Sequence, residues 1–79
     1  MKWDNLAKNL LKSELKKRGV NYEQLQEKLA VIGVDETVNN INRKINRGAF
    51  QFTFFLQCAV AMGIKNLRLD ELVAGEEHE

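Results

Sequence analysis

Between Thr37 and Gly48 the chain reads TVNNINRKINRG, and four of the ten residues from Thr37 to Asn46 are asparagine. Arg43, Lys44 and Arg47 stand among them. Asparagine is an indifferent helix former, because its side chain competes for backbone hydrogen bonds. A helix built for stability alone would carry Lys or Glu at those places. The chemistry these groups suit is the reading of base edges. A carboxamide can bond adenine in a bidentate way, and a guanidinium can do the same to guanine in the major groove. At about 100° per residue, Val38, Ile41 and Ile45 form one apolar stripe. Glu36, Asn39, Asn40, Arg43 and Arg47 fall on the far side, with Asn42, Lys44 and Asn46 on the flanks. The pattern predicts base contacts from Asn39, Asn40 and Arg43, and phosphate contacts from Lys44 and Arg47. An ordinary solvated helix face would show the same residues without a ligand.

Other chemistries find less support. The lone histidine, His78, lies in an acidic tail, and the hydroxyl groups of Ser13, Thr37, Thr53 and Tyr22 stand beside no candidate base. Cys58 sits in mid-helix among apolar neighbours, where a thiol is usually an inert small hydrophobe. No metal-ligand spacing or phosphate-cradling glycine loop occurs. Glu76, Glu77, His78 and Glu79 could grip a stray metal, but a flexible tail is the simpler expectation. The sequence is read as a non-enzyme with no cofactor and no metal site.

Elements with the right spacing must position the asparagine-rich helix. Seventy-nine residues make one small domain, and 44% hydrophobic against 29% charged residues is a globular rather than a disordered balance. Proline is absent, and glycine recurs where helices should end. Asp4 can cap a first helix with Leu6, Leu10, Leu11 and Leu15 inside and Trp3 packing back on it. Lys16, Lys17 and Arg18 suit its C-terminal dipole, and Gly19 stops it. Asn21 and Gln24 form a capping box for a second helix, whose stripe is Leu25, Leu29 and Ile32. A residue from Asp35 to Thr37 caps the third. The fourth runs from about Phe52 to Met62, with Phe52, Phe55, Leu56, Ala59 and Met62 on one side and Phe54, Cys58 and Ala61 on the other. Leu67, Leu69 and Leu72 suggest a short fifth helix. The expected fold is all-α, a compact bundle of four to five helices spanning residues 1–73, with 74–79 as a flexible acidic tail. One cysteine, no apolar leader in MKWDNLAKN and no run near the ~20 residues of a membrane span lead to a cytoplasmic expectation.

The net charge of +1 hides a gradient. Residues 1–20 hold six basic and two acidic side chains, residues 21–47 hold four of each, and Lys65 adds one base. Residues 66–79 hold Arg68 against five acids. A basic body fits a polyanion, although a solvated helix face fits as well. The acidic tail could compete with DNA for that body.

The stretch GVNYEQLQEKLAVIGVDETVNNINRKINRG, followed by FLQCAVAMGI, resembles the lambda-repressor-like helix-turn-helix domains. That family shows Gly, an apolar residue and a polar cap, then a helix with Leu and Lys-Leu. A Gly-Val turn, a recognition helix ending at Gly and an apolar helix ending in Gly-Ile follow. Gly19, Val20, Asn21, Leu25, Lys28 and Leu29 match the first part, Ile41 and Gly48 the recognition helix, and Leu56, Ala59, Met62, Gly63 and Ile64 the last. The likeness covers most of residues 5–65 and extends to a group of small bacterial single-domain proteins. It implies double-stranded DNA as the partner, held by the third helix in a major groove, with Tyr22 touching phosphate from the start of the second helix. Two departures stand out. Gln26 replaces the usual small Ala, and AVIGVDET makes the turn about three residues longer than the common three to four.

Domains of this kind generally act as two copies, because one short helix reads few bases. Phe54, Cys58 and Ala61 are the candidate homodimer face, unless the first or fifth helix covers them. The alternative function is a protein-interaction module on the same fold.

Overall fold

The computed structural model describes residues 2–70. Those residues form four helices and no strand: α1 (Trp3–Arg18), α2 (Tyr22–Val31), α3 (Val38–Arg47) and α4 (Phe52–Met62). Residues 69 and 70 are helical, but Leu72 of the expected fifth helix lies outside the described residues, as does the tail 74–79.

Local chemistry accounts for most helix ends. The Asn21 side chain accepts from the Gln24 N–H at 2.8 Å, and the Gln24 side chain accepts from the Asn21 N–H at 2.9 Å. Thr37 caps α3 by accepting from the Asn40 N–H at 3.1 Å. α1 differs from its expectation. It starts from Lys2 without a side-chain cap, and Asp4 lies inside the first turn, where a carboxylate still favours the helix dipole. Trp3 is exposed instead of packing back. Three helices finish alike. Val20, Val34 and Ile64 each follow a glycine, donate to Leu15, Leu29 and Ala59 at 2.9 Å, and turn an apolar side chain onto the core.

α4 packs on α2, while α3 packs on both α1 and α2. Leu11, Leu25, Leu29, Ile41, Ile45 and Cys58 are fully buried between them. Each of the aliphatic ones contributes roughly 1.5–3 kcal/mol relative to exposure. Glu14 is the one buried charged side chain among the described residues, and Lys17 and Arg18 from its own helix satisfy it at 3.3 Å each.

Two expectations about buried faces are corrected. Ile32 is exposed, because α2 ends at Val31 and Val34 fills the core position from the turn. In α4 the buried residues are Phe54, Phe55, Cys58 and Met62, while Phe52 and Leu56 face solvent. The candidate dimer face is therefore internal: Phe54 and Cys58 belong to the core, and Ala61 is half-buried against it. Both sides of α4 are apolar, so its pattern did not reveal which one the other helices would cover.

Candidate nucleic-acid interface

α3 holds Arg43, Lys44 and Arg47 and no acidic residue. Ile41 and Ile45 anchor it in the core, and its two flanks are tied to the rest of the fold by different means.

On one flank, Lys44 Nζ donates to Glu36 Oε2 at 2.6 Å and sits 5.0 Å from the Phe54 ring centroid. The Lys44 hydrogen bond holds the Glu36 carboxyl below its ordinary value. The charge of Lys44, the Asn40 side chain and the Thr37 backbone act in the same sense, against the opposing effect of burial. Glu36 therefore stands beside α3 as the partner of Lys44, not on its far face. Lys44, expected at phosphate, is engaged inside the fold. Below this pair, burial pushes the Cys58 thiol up to about 12, with the Glu36 charge adding to the effect. Such a thiol carries no thiolate near neutrality and is inert.

On the other flank, Asn46 joins three helices. Lys12 Nζ of α1 donates to Asn46 Oδ1 at 2.6 Å. The Asn46 amide donates to the Asn42 carbonyl at 2.9 Å, to the Asn42 side chain, and more distantly to the Tyr22 hydroxyl of α2 at 3.4 Å. Lys12 and Tyr22 thus stand together beside α3. Residue types alone did not point to Lys12, because its partner lies 34 positions away.

The turn explains the two departures together. The Gln26 side chain donates to the Glu36 carbonyl at 3.0 Å. A small residue at 26 would remove this tie from the lengthened turn, leaving Val34 and the Glu36–Lys44 pair to hold it. Pattern matching marked Gln26 as unusual but could not supply its partner.

The outward arc retains Asn39, Asn40, Arg43 and Arg47. Asn39, Arg43 and Arg47 are exposed and Asn40 is half-buried. Arg43 Nη2 donates to Asn40 Oδ1 at 2.6 Å, which orients both side chains on one turn. Asn40, Arg43, Lys44 and Arg47 surround a shallow depression of about 460 Å³. Asn39 and Tyr22 lie outside it. No acidic side chain pairs with Arg43 or Arg47 among the described residues. These residues also hold no group of three or more His, Cys, Asp or Glu that could bind a metal, and no helix long and apolar enough to cross a membrane.

The fold and this surface define a small all-α domain that presents a basic, acid-free helix, braced on both flanks, to solvent. The chain belongs to the family described as a domain of unknown function (DUF6471), whose model matches residues 3–67. That span runs from the first residue of α1 to Leu67, which packs on the core beyond α4. Comparison with curated proteins and with solved structures found no match.

Proposed function

We propose that the protein binds double-stranded DNA, with α2, the turn and α3 acting as a lambda-repressor-like helix-turn-helix and α3 lying in the major groove. The observation that carries this reading is the outward arc of α3: two guanidinium groups and two carboxamides with no acid among them, on a helix braced on both sides. Asn39, Asn40 and Arg43 face the bases, and Arg47 reaches phosphate. Tyr22 reaches the backbone on one side, and Lys12 joins it there. Lys44 acts by fixing α3 to the turn instead of touching phosphate. A rigid reading helix fits such a role, because contacts made by an ordered element cost less ordering on binding.

The test is fluorescence anisotropy of a labelled duplex at ~50 and ~200 mM salt. With Arg47 and Lys12 as the two cationic phosphate contacts, log K falls with a slope near −1.8 against log salt, so the rise in salt weakens binding roughly 12-fold. The double change Arg43→Ala and Arg47→Ala flattens that slope and lowers affinity. Absence of binding at ~100 µM protein in low salt, beyond the usual non-specific range, would overturn the reading. It would favour the protein-interaction module, for which the exposed apolar side chains of α4 speak.

A further inference from the structure

α4 differs from the other three helices. Its eleven residues include no Asp, Glu, Lys, Arg or His, in a chain with 29% charged residues. The exposed positions of α1 and α2 are mostly Lys, Arg, Asn, Glu and Gln, and their exposed large apolar side chains, Trp3 and Val31, stand singly at helix ends. The outward side of α4 carries Phe52, Leu56 and Val60, which are 70%, 47% and 65% exposed. Their spacing of four places them in one row, turned away from Phe54 and Cys58. An exposed row of large apolar side chains marks an interaction surface. Phe52 is also held in place: its ring stacks on that of buried Phe55, with centroids 6.1 Å apart and planes at 20°. An aromatic group fixed in advance loses little freedom when it is covered.

We propose that this row is a homodimer interface, on which a second copy of the chain docks its own α4 antiparallel about a two-fold axis at Leu56. Symmetry is the first reason. The three positions are evenly spaced about Leu56, so an axis there sets Phe52 against the smaller side chain of the partner's Val60 and Leu56 against the partner's Leu56, an isologous contact in which each member of the row meets an apolar side chain. Charge is the second. A row without ionisable groups offers nothing to an acidic or basic partner. It matches a surface equally free of charge, and α4 is the helix of that kind among the described residues. With a net charge of +1 on the chain, two copies approach with little repulsion. Area is the third. Three side chains fall short of the roughly 800 Å² per partner of a standard interface. At Phe52, however, the row continues into an apolar groove of about 330 Å³, bordered by Leu10, Phe50, Phe55 and Leu69. The axis brings the end of the partner subunit's α4 to its mouth. The interface uses α4 and the groove beside it and is independent of DNA binding.

Sedimentation velocity on the full chain, without DNA, from about 5 to about 500 µM tests this over the range of modest interfaces. The expected result is a monomer–dimer equilibrium. Leu56→Arg places two like charges at the axis and weakens the dimer more than about tenfold, as loss of a central contact does. Leu56→Glu does the same. An equimolar mixture of the two variants restores the dimer, because residue 56 then meets its opposite charge. Circular dichroism checks that both variants, altered at an exposed position, keep their helices. A chain that stays monomeric throughout would overturn the proposal. So would a dimer indifferent to Leu56→Arg, a mixture that fails to recombine, or a monomer that instead partitions onto neutral phosphatidylcholine vesicles.

Discussion

Asn42 and Asn46 help brace α3 against α1 and α2, whereas Asn39 and Asn40 stand on its outward arc. A count of asparagines could not separate these tasks, because the division depends on where Lys12 and Tyr22 arrive. Glu36 is the residue on which most converges. It receives Lys44, and its backbone carbonyl receives Gln26. Its carboxyl lies below the ordinary value of 4.5, so the charged form is favoured by folding. The stabilisation is present above the unfolded value and is lost as pH falls through the lower, folded one. Glu36→Gln should therefore cost about 1 kcal/mol near pH 7, at the low end for a charge-assisted hydrogen bond because the lysine is partly solvated. The difference between variant and parent should shrink as pH falls below the ordinary carboxylate value. Thermal melts of both proteins from neutral to acid pH would show it. A gap that stays constant with pH would mean that the ion pair is not the source.

At the scale of elements, the readable features were local and the unreadable ones depended on contact partners. The Asn21–Gln24 capping box, the Ile41 and Ile45 stripe and the glycine stops follow from spacings of three or four residues, which a helix converts directly into neighbours. The orientation of α4 did not follow, because Phe, Leu, Cys and Ala occur all round it. Nor did the role of Gly48. That glycine has φ +79° and is buried, and a Cβ on it would fall on the Asp4 backbone carbonyl. It lets the end of α3 seat directly against the start of α1. Gly33 has a similar φ of +82°, but a Cβ there meets nothing within 4 Å. Gly33→Ala should therefore cost only the left-handed strain, about 1–2 kcal/mol. Gly48→Ala should cost about 1–3 kcal/mol more, the typical penalty for overpacking. Urea unfolding of the two variants separates the effects, and equal losses would show that the seat against Asp4 is unimportant.

At the scale of the molecule, charge decides which surface a polyanion meets. The six basic residues of the first twenty are not all available: Lys17 and Arg18 are paired with Glu14, as Lys44 is with Glu36. Arg43 and Arg47 are unpaired by acids, and Lys12 stands beside them against an uncharged amide. α3 thus adds two guanidinium groups without acidic partners to a basic body whose other exposed lysines, such as Lys2, Lys16 and Lys28, also pair with no acid among the described residues. Residues 74–79 hold Glu76, Glu77 and Glu79, so removing them changes the net charge from +1 to +4. Exposed charges act over a Debye length of about 10 Å at 0.1 M salt and about 3 Å at 1 M. If the proposed DNA interface operates, a chain shortened to residue 73 should bind a duplex more tightly at or below ~0.1 M salt, and the gain should fade toward ~1 M. Anisotropy titrations of the two chains at matched salt would measure the difference. An unchanged affinity at low salt would remove the tail from the electrostatics of binding, and a gain that persists at high salt would point to direct occlusion of the site instead of a field effect.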